Sequence, residues 1–434
     1  MKQKCEKCGK NAIFFDVNVQ LWLCKECVNK EHKDLKLDKF IKRNDEDIYN
    51  EELNNILIAM EKLCNSIKES NNKRIEKQFK NTPYSKNLNE LLSAMTREKL
   101  AKIAEALGVG KVYKYKKQDL KEVLLSSYEK LILEKFELLD ENAFKSLRKY
   151  YKNDGERILD NIPNDEEIYI DYFIELGAIF PFENKQGNKM FLMPSATQEV
   201  IKLLEDFQVR RKIKNNTKII NLYRGMVRAY GLLEVYQIIE FVKKYLVEEY
   251  DYQYLVNILI ESSKYSDEYI VERNFIFNSN IDNYVSLYND INIKMKNRDY
   301  RKFSESELLS LSNSNWEVNN SYARDFKRGF LKYFIMSEEE IDEFLKFLYA
   351  IVQEKSLDEI LSEIKDMIKE EEAKEIGIDI IEKYVVNLPI WTNKGRCIKE
   401  LKNGWTSGTP IFYKYKAITL NSLINIWFKY SFIF

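Results

Sequence analysis

The sequence predicts a mainly α-helical protein built from several domains. Glycine (13) and proline (6) are scarce among its 434 residues, while Leu, Ile, Lys and Glu are abundant. A composition with few helix breakers and many helix formers favours helices. Apolar residues also recur at helical spacing through most of the chain after residue 86. A chain of this length has room for two to four domains.

The N-terminus departs from this pattern because it carries four cysteines in two C-x2-C pairs. The first pair is Cys5 and Cys8, the second is Cys24 and Cys27, and fifteen residues separate the pairs. Each pair can bind a metal ion from a tight turn, and four thiolates complete a tetrahedral shell. The spacing is therefore typical of a structural zinc site. A full shell leaves no open position for catalysis. We therefore predict one structural Zn²⁺ held by these four cysteines.

The residues between the two pairs predict a short β-hairpin. Gly9 stands directly after Cys8, where the turn needs a residue that tolerates a positive φ. Residues 12–23 are rich in β-branched and aromatic side chains and partly alternate in polarity. Together with the cysteines, this stretch predicts a zinc ribbon over residues 1–35.

A pair of disulfides is the alternative use of these cysteines. The Lys-rich start of the chain does not resemble a secretory signal, so we expect a cytoplasmic protein with reduced thiols. His32 lies five residues after Cys27 and could replace a cysteine ligand, but with four thiolates present we expect it to bind nothing. We expect Cys64 and Cys397 to be ordinary buried thiols.

Composition also bears on the class of function. Lys plus Arg and Asp plus Glu are equal at 69 each, so the net charge does not indicate a polyanionic partner. His32 is the only histidine, and the chain has no phosphate-binding loop, G-x-G-x-x-G or G-x-S-x-G motif. A non-catalytic protein with no small-molecule substrate is therefore favoured. A nuclease built from carboxylates and lysines remains an alternative.

Two segments are assigned to linking or terminal roles. Residues 36–82 carry an apolar stripe at helical offsets and predict a helical linker that ends before Pro83. Residues 416–434 form an apolar tail, but Asn421, Asn425 and Lys429 interrupt it. We expect a packed terminal element there rather than a membrane anchor.

Residues 83–135 predict a small helical domain with a basic loop. Thr96 is placed to cap a helix over residues 97–107, and Gly108 to end it. The loop that follows can neutralise phosphates with its lysines and stack bases on its tyrosines. A helical hairpin with a solvated loop is the alternative. The candidate nucleic-acid-binding residues of this loop are Lys111, Tyr113, Lys114, Tyr115, Lys116 and Lys117.

This domain resembles the SAP-like fold at the N-terminus of the transcription terminator Rho. The resemblance implies a contact with nucleic acid or with a protein through the basic loop and the helix starts. The residues that carry it are Leu100, Ile103, Ala104, Gly108, Lys116, Lys117, Leu120 and Leu124.

Residues 136–231 predict a winged-helix-like unit. Two helices, near residues 144–151 and 167–176, precede a hairpin of residues 178–182 and 189–193. Ser195 is expected to cap a further helix over residues 196–207.

A basic segment closes that unit. Residues 208–230 contain no acidic residue, whereas acids make up about one residue in six of the whole chain. Such a segment suits phosphate binding, and a helix packed on acidic neighbours is the equally weighted alternative. Its cations are Arg210, Arg211, Lys212, Lys214, Lys218, Arg224 and Arg228, of which the first five are candidate nucleic-acid contacts.

Residues 232–415 predict a helical body with no fixed repeat length. Ser304, Ser337 and Ser356 each stand three residues before a glutamate and predict helix starts. From residue 232 to about 386 we expect one helix after another.

The segment from Pro389 through Trp391 and Gly395 to Leu401 resembles a group of bacterial zinc-ribbon and helical proteins. That group combines a Rho N-terminal-like domain with a long helical body, and many members end in a cysteine-rich SEC-C tail. This chain has no cysteine after Cys397, so a second zinc site is not expected.

Taken together, these features predict a zinc-containing protein that binds DNA or RNA, in a regulatory, transcription-linked or defence setting. A protein-interaction scaffold with a structural zinc is the first alternative. The nuclease-like enzyme is the second.

Overall fold

A computed structural model describes most of the chain beyond residue 81. The described residues are 4, 5, 7–10, 14–16, 21–24, 27, 79, 82–334, 336–367 and 371–402. His32, Cys64, the helix expected within residues 36–82 and the apolar tail of residues 416–434 lie outside them. The chain divides into two units, residues 1–75 and 76–434.

The first unit contains two short antiparallel strands where the sequence predicts a hairpin. Strand β1 (Phe14–Asp16) pairs with β2 (Leu21–Leu23), and Phe14 lies opposite Leu23. This pairing brings the first cysteine pair towards the second, because the strands connect the two.

The second unit is mainly helical, which confirms the predicted fold class at that level. Its α-helices are α1 (Leu88–Ser93), α2 (Arg97–Leu107), α3 (Lys117–Phe136), α4 (Glu141–Lys152), α5 (Glu167–Glu175), α6 (Ser195–Leu204), α7 (Phe207–Tyr230), α8 (Val235–Lys243), α9 (Tyr252–Ser263), α10 (Tyr284–Lys294), α11 (Glu305–Leu311), α12 (Trp316–Asn319), α13 (Ser321–Tyr333), α14 (Glu338–Ile351), α15 (Leu357–Met367), α16 (Glu371–Val385) and α17 (Ile398–Lys402). None of the helices in the described residues is long and apolar enough to cross a bilayer.

Two antiparallel three-stranded sheets with the same strand order interrupt these helices. The strands are β3 (Glu156–Ile158), β4 (Phe180–Glu183), β5 (Lys189–Leu192), β6 (Leu232–Glu234), β7 (Tyr269–Glu272) and β8 (Phe275–Asn278). In each sheet the last strand in sequence lies in the centre, giving the orders β3-β5-β4 and β6-β8-β7. The predicted hairpin is therefore present as β4 and β5. The second sheet corrects the expectation of uninterrupted helices after residue 232.

Local signals explain most of the helix ends. The Thr96 hydroxyl accepts a hydrogen bond from the Lys99 amide, and Gly108 ends α2 with a φ of 92°. The capping boxes at Ser304, Ser337 and Ser356 are all present, because each serine and its glutamate exchange hydrogen bonds with the other's main chain.

The helix expected over residues 196–207 is shorter than predicted, and Ser195 is its first residue rather than its cap. The carboxylate of Asp206 accepts hydrogen bonds from the amides of Gln208 and Val209, which starts a new helix there. Phe207 therefore opens α7 instead of closing α6.

One hydrophobic core joins the predicted SAP-like domain to the predicted winged-helix-like unit. The Tyr128 hydroxyl on α3 lies 2.8 Å from the Gly177 carbonyl and 2.7 Å from the Thr197 hydroxyl, and Tyr128 is fully buried. Helix α7 leaves this core after Ile213 and enters a second core at Ile219. The loop of residues 111–117 and the start of α7 are thus supported by the same packed interior.

Candidate metal centre and basic surfaces

The four cysteines of the two C-x2-C pairs converge on one point. All four sulfur atoms lie within 4.8 Å of one another, and the Sγ atoms of Cys8 and Cys24 are 3.4 Å apart. The first turn is closed by the Gly9 amide, which donates to the Cys5 carbonyl at 2.8 Å, and Gly9 has a φ of 72°. Four sulfurs at this separation could hold a metal ion.

The electrostatics of the cluster also suit a cation. Burial raises the pKa of the Cys5 thiol, but hydrogen bonds from the main-chain amides of Cys24, Lys7 and Cys8 outweigh it and lower that pKa to about 6. The neighbouring Cys8 sulfur, followed by burial, raises the pKa of Cys27 to about 12. Like charges in this volume oppose one another, so full ionisation of the cluster requires a bound cation.

Among the described residues, these cysteines form the only group of three or more His, Cys, Asp or Glu side chains placed to bind a metal. Cys397 is far along the chain in the other unit and is buried, as expected. Its amide donates to the Glu400 carboxylate at 3.0 Å, at the start of α17. It therefore takes part in a helix start.

The loop of residues 111–117 is held in place by Arg97 of α2. The Arg97 Nε atom donates to the Tyr115 carbonyl at 3.1 Å, and its Nη2 atom lies 3.3 Å from the Tyr113 carbonyl. The Val112 side chain is buried in the core below, and Tyr115 packs partly against it. The loop backbone is consequently fixed from the inside while its other side chains face solvent.

Three lysines and one tyrosine of this loop face solvent. The Tyr113 ring is 74% exposed, and the Lys114 ammonium lies 5.9 Å from its centre. Lys111, Lys114 and Lys116 are exposed and form no ion pair with any residue that the structure describes. Lys117 differs, because its ammonium donates to the Ser93 carbonyl at 3.0 Å.

The acid-free segment is a single helix, α7, and most of its cations contact acidic residues from elsewhere. Five of the seven cations form such pairs. They are Arg211 with Glu248 (2.6 Å), Lys212 with Glu137 (2.6 Å), Lys218 with Glu305 (2.8 Å), Arg224 with Glu268 (3.3 Å) and Arg228 with Glu317 (3.2 Å). Packing on acidic neighbours, the alternative weighed from the sequence, accounts for these five positions. Arg210 and Lys214 are exposed and make no ion pair within the described part of the chain.

One further exposed aromatic side chain lies at the start of the basic helix α7. Phe207, at the first position of α7, is 75% exposed, and sequence analysis missed it because the helix was expected to end there.

The helices that precede the two hairpins, α5 and α9, contain no Lys or Arg. A helix that enters a DNA groove usually carries cations for the phosphates, so α5 and α9 do not supply the electrostatic footprint of a groove reader.

No protein-family model, curated protein or solved structure matches this chain.

Proposed function

We propose that this protein binds single-stranded nucleic acid through the loop of residues 111–117 and carries one structural zinc ion. The observation that supports binding is the exposed Tyr113 side chain beside Lys111, Lys114 and Lys116, three lysines that pair with no acidic residue among those the structure describes. These lysines can approach phosphates without first breaking an ion pair. Counterion release then favours binding of any nucleic-acid sequence.

The aromatic ring favours single strands over duplexes. An unstacked base can lie flat on a tyrosine ring, whereas the bases of a duplex are already stacked on each other. Because Arg97 fixes the backbone that carries Tyr113, little chain entropy is lost when a base meets the ring. Tyr115 is a weaker candidate for stacking, since part of its ring packs on the core.

The ion pairs of α7 reduce the number of cations that this helix can offer. Contact of Arg211, Lys212 or Lys218 with phosphate would require separation from Glu248, Glu137 or Glu305. Arg210 and Lys214 need no such exchange. We therefore place any phosphate contact of α7 at these two residues.

The zinc assignment rests on the four converging sulfurs of Cys5, Cys8, Cys24 and Cys27. Thiolates are soft ligands, and an all-cysteine tetrahedral site is typical of structural zinc. The ion would hold the hairpin of β1 and β2 to the two turns. It would leave no coordination position for a substrate.

Binding is tested by fluorescence anisotropy with a labelled single strand and the matched duplex. Tyr113→Ala should weaken binding of the single strand by roughly five- to a hundredfold, as expected for the removal of one stacked ring, and leave duplex binding nearly unchanged. Tyr236→Ala, at another largely exposed tyrosine, is the matched control and should alter neither. If the wild-type protein binds no strand at low salt, the function is that of a protein-interaction scaffold.

A further inference from the structure

We propose that Phe207 is a second base-stacking residue and that the first two turns of α7 form a second contact for the same single strand. This inference rests on the proposed function. It adds a site that the loop of residues 111–117 does not include, and it predicts that binding depends on the length of the strand.

Phe207 shares one face of α7 with Arg210 and Lys214, which form no ion pair in the part of the chain that the structure describes. Arg210 and Lys214 follow it by three and seven residues, which places all three side chains on the same side of the helix. The hydrogen bonds from the Gln208 and Val209 amides to Asp206 fix the start of the helix. The backbone that carries the ring is therefore fixed, although Phe207 is 75% exposed.

The charges around Phe207 match those around Tyr113. Each site has one largely exposed ring with cations that form no ion pair among the described residues: two for Phe207 and three for Tyr113. Exposing a phenylalanine ring costs hydrophobic free energy in the unbound protein, so a partner that covers the ring gains by doing so. A nucleotide can bind both the ring and the cations, because its base can cover the ring and its phosphate can pair with a cation.

An apolar protein surface is the competing occupant, and Leu203 is the reason to consider it. Leu203, four residues before Phe207, is 58% exposed. A docking protein would use the leucine and the phenylalanine together, whereas a base stacks on the ring alone. Nearby Arg210 and Lys214 favour the polyanion.

The residues beneath the loop of residues 111–117 and beneath the start of α7 belong to one hydrophobic core. Val112 beneath the loop and Ile213 on the inner side of α7 belong to the same set of packed buried residues. Their separation is therefore fixed. A strand long enough to reach both sites binds the second one as an intramolecular step, which raises its affinity above that of a short strand.

A length series of oligothymidylates, from four to thirty nucleotides, tests this arrangement. We expect the affinity of the wild-type protein to rise steeply above one threshold length. Phe207→Ala should remove that rise, lowering affinity for long strands by roughly five- to a hundredfold while leaving short-strand affinity unchanged. Phe207→Trp should keep the rise, and Leu203→Ala is the matched apolar control.

Three results distinguish a failure of the Phe207 proposal from a failure of the proposed function. If Phe207→Ala leaves the length dependence intact while Tyr113→Ala weakens binding, Phe207 does not contact the strand, but the proposed function stands. If Leu203→Ala removes the length dependence as Phe207→Ala does, the effect is not that of one stacked ring and the stacking proposal is wrong. If the wild-type protein binds no oligonucleotide, the proposed function itself fails.

Discussion

The Arg97 guanidinium donates a hydrogen bond to the main-chain carbonyl of Tyr115 at 3.1 Å and so connects helix α2 to the basic loop. The same side chain also lies within 3.5 Å of the carbonyls of Val112 and Tyr113. A cation that satisfies three carbonyls of one turn fixes the direction of the side chains on that turn. Arg97, which is itself half-buried, thus positions the loop that carries the lysines and Tyr113.

Replacing Arg97 tests this positioning role. Arg97→Ala should increase amide hydrogen exchange at residues 112–116 and lower the free energy of unfolding by about 1–2 kcal/mol, because three carbonyls lose a charged donor. Affinity for a single strand should fall as well, although Arg97 itself need not touch it. Lys102→Ala, at an exposed position on the same helix, is the control. Unchanged exchange in Arg97→Ala would show that the loop is held by Val112 and the core alone.

The metal site predicts a simple stoichiometry. Purified protein should contain one zinc per chain. Cys24→Ser should lose the metal, whereas Cys397→Ser should keep it, because Cys397 lies in the other unit. Loss of metal should unfold mainly the first 35 or so residues, since structural zinc supplies the folding free energy of such modules.

Elemental analysis of the same variants decides the ligand set. His32→Ala should retain zinc. A zinc-free His32→Ala together with a zinc-bound Cys27→Ser would mean that the histidine replaces this cysteine in the shell.

The crossing of α7 and α11 depends on a glycine. A Cβ atom added to Gly225 would overlap the main-chain carbonyl of Leu308. Alanine normally stabilises the interior of a helix relative to glycine. Here we expect Gly225→Ala to destabilise the protein by about 2–3 kcal/mol, because the two helices must move apart. Gly110→Ala, where the added atom meets open space, should be nearly neutral in the same denaturant titration.

Replacing Glu354 with glutamine is expected to stabilise the folded protein in a pH-dependent way. Burial raises its pKa to about 7, while Lys355 opposes the shift. Below about pH 4 the carboxyl is protonated in both the folded and the unfolded chain, so it carries no penalty. Between that pH and 7 the unfolded chain ionises first, and the folded state loses relative stability. Glu354→Gln should therefore match the wild type near pH 4 and exceed it by up to about 3 kcal/mol at pH 8, less any screening of the partly exposed carboxyl by solvent.

Glu359, five residues later, provides a control of opposite sign. Hydrogen bonds from the Ser356 side chain and amide lower its pKa. Glu359→Gln should therefore be less stable than the wild type at neutral pH, and the difference should vanish as the pH falls through the folded pKa of the carboxyl. Thermal melts across the pH range measure both variants. Parallel curves for Glu354→Gln and the wild type would show that Glu354 is solvated in the folded protein.

Local sequence signals were sufficient for the elements that depend on neighbouring residues. The cap at Thr96, the glycine end of α2 and the capping boxes each need only a residue and its near neighbours, and all are present. The four cysteines were found from their spacing for the same reason. The hairpin of β4 and β5 was recognisable because its turn contains Gly187.

The second sheet was missed because its turn has no glycine, while its strands are as short as those of the first sheet. Arg273 takes the positive φ of 54° in the turn between β7 and β8, where a glycine or asparagine would be expected. Strand β6 directly precedes helix α8. Alternation over so few residues cannot be distinguished from a helical pattern.

The charge of α7 could not be judged from its own sequence. The acids that pair with it lie far away in the chain, from Glu137, about 75 residues earlier than Lys212, to Glu317, which pairs with Arg228. Only the fold brings them together. The exposed position of Phe207 was likewise not recognised from the sequence. Residues 205–207 could continue the first helix or begin the next, and in the structure α6 ends at Leu204 and α7 begins at Phe207.

The salt dependence of single-strand binding tests the central claim most directly. The affinity of the wild-type protein for an oligothymidylate should fall linearly with salt on logarithmic axes. A Lys111→Ala, Lys114→Ala, Lys116→Ala triple variant should bind more weakly and show a slope smaller by roughly 0.7 for each phosphate that it no longer neutralises. A triple alanine variant at the exposed lysines Lys296, Lys302 and Lys399 should keep the wild-type slope. Equal slopes for the wild type and the loop variant would contradict the assignment of this loop as the nucleic-acid-binding site.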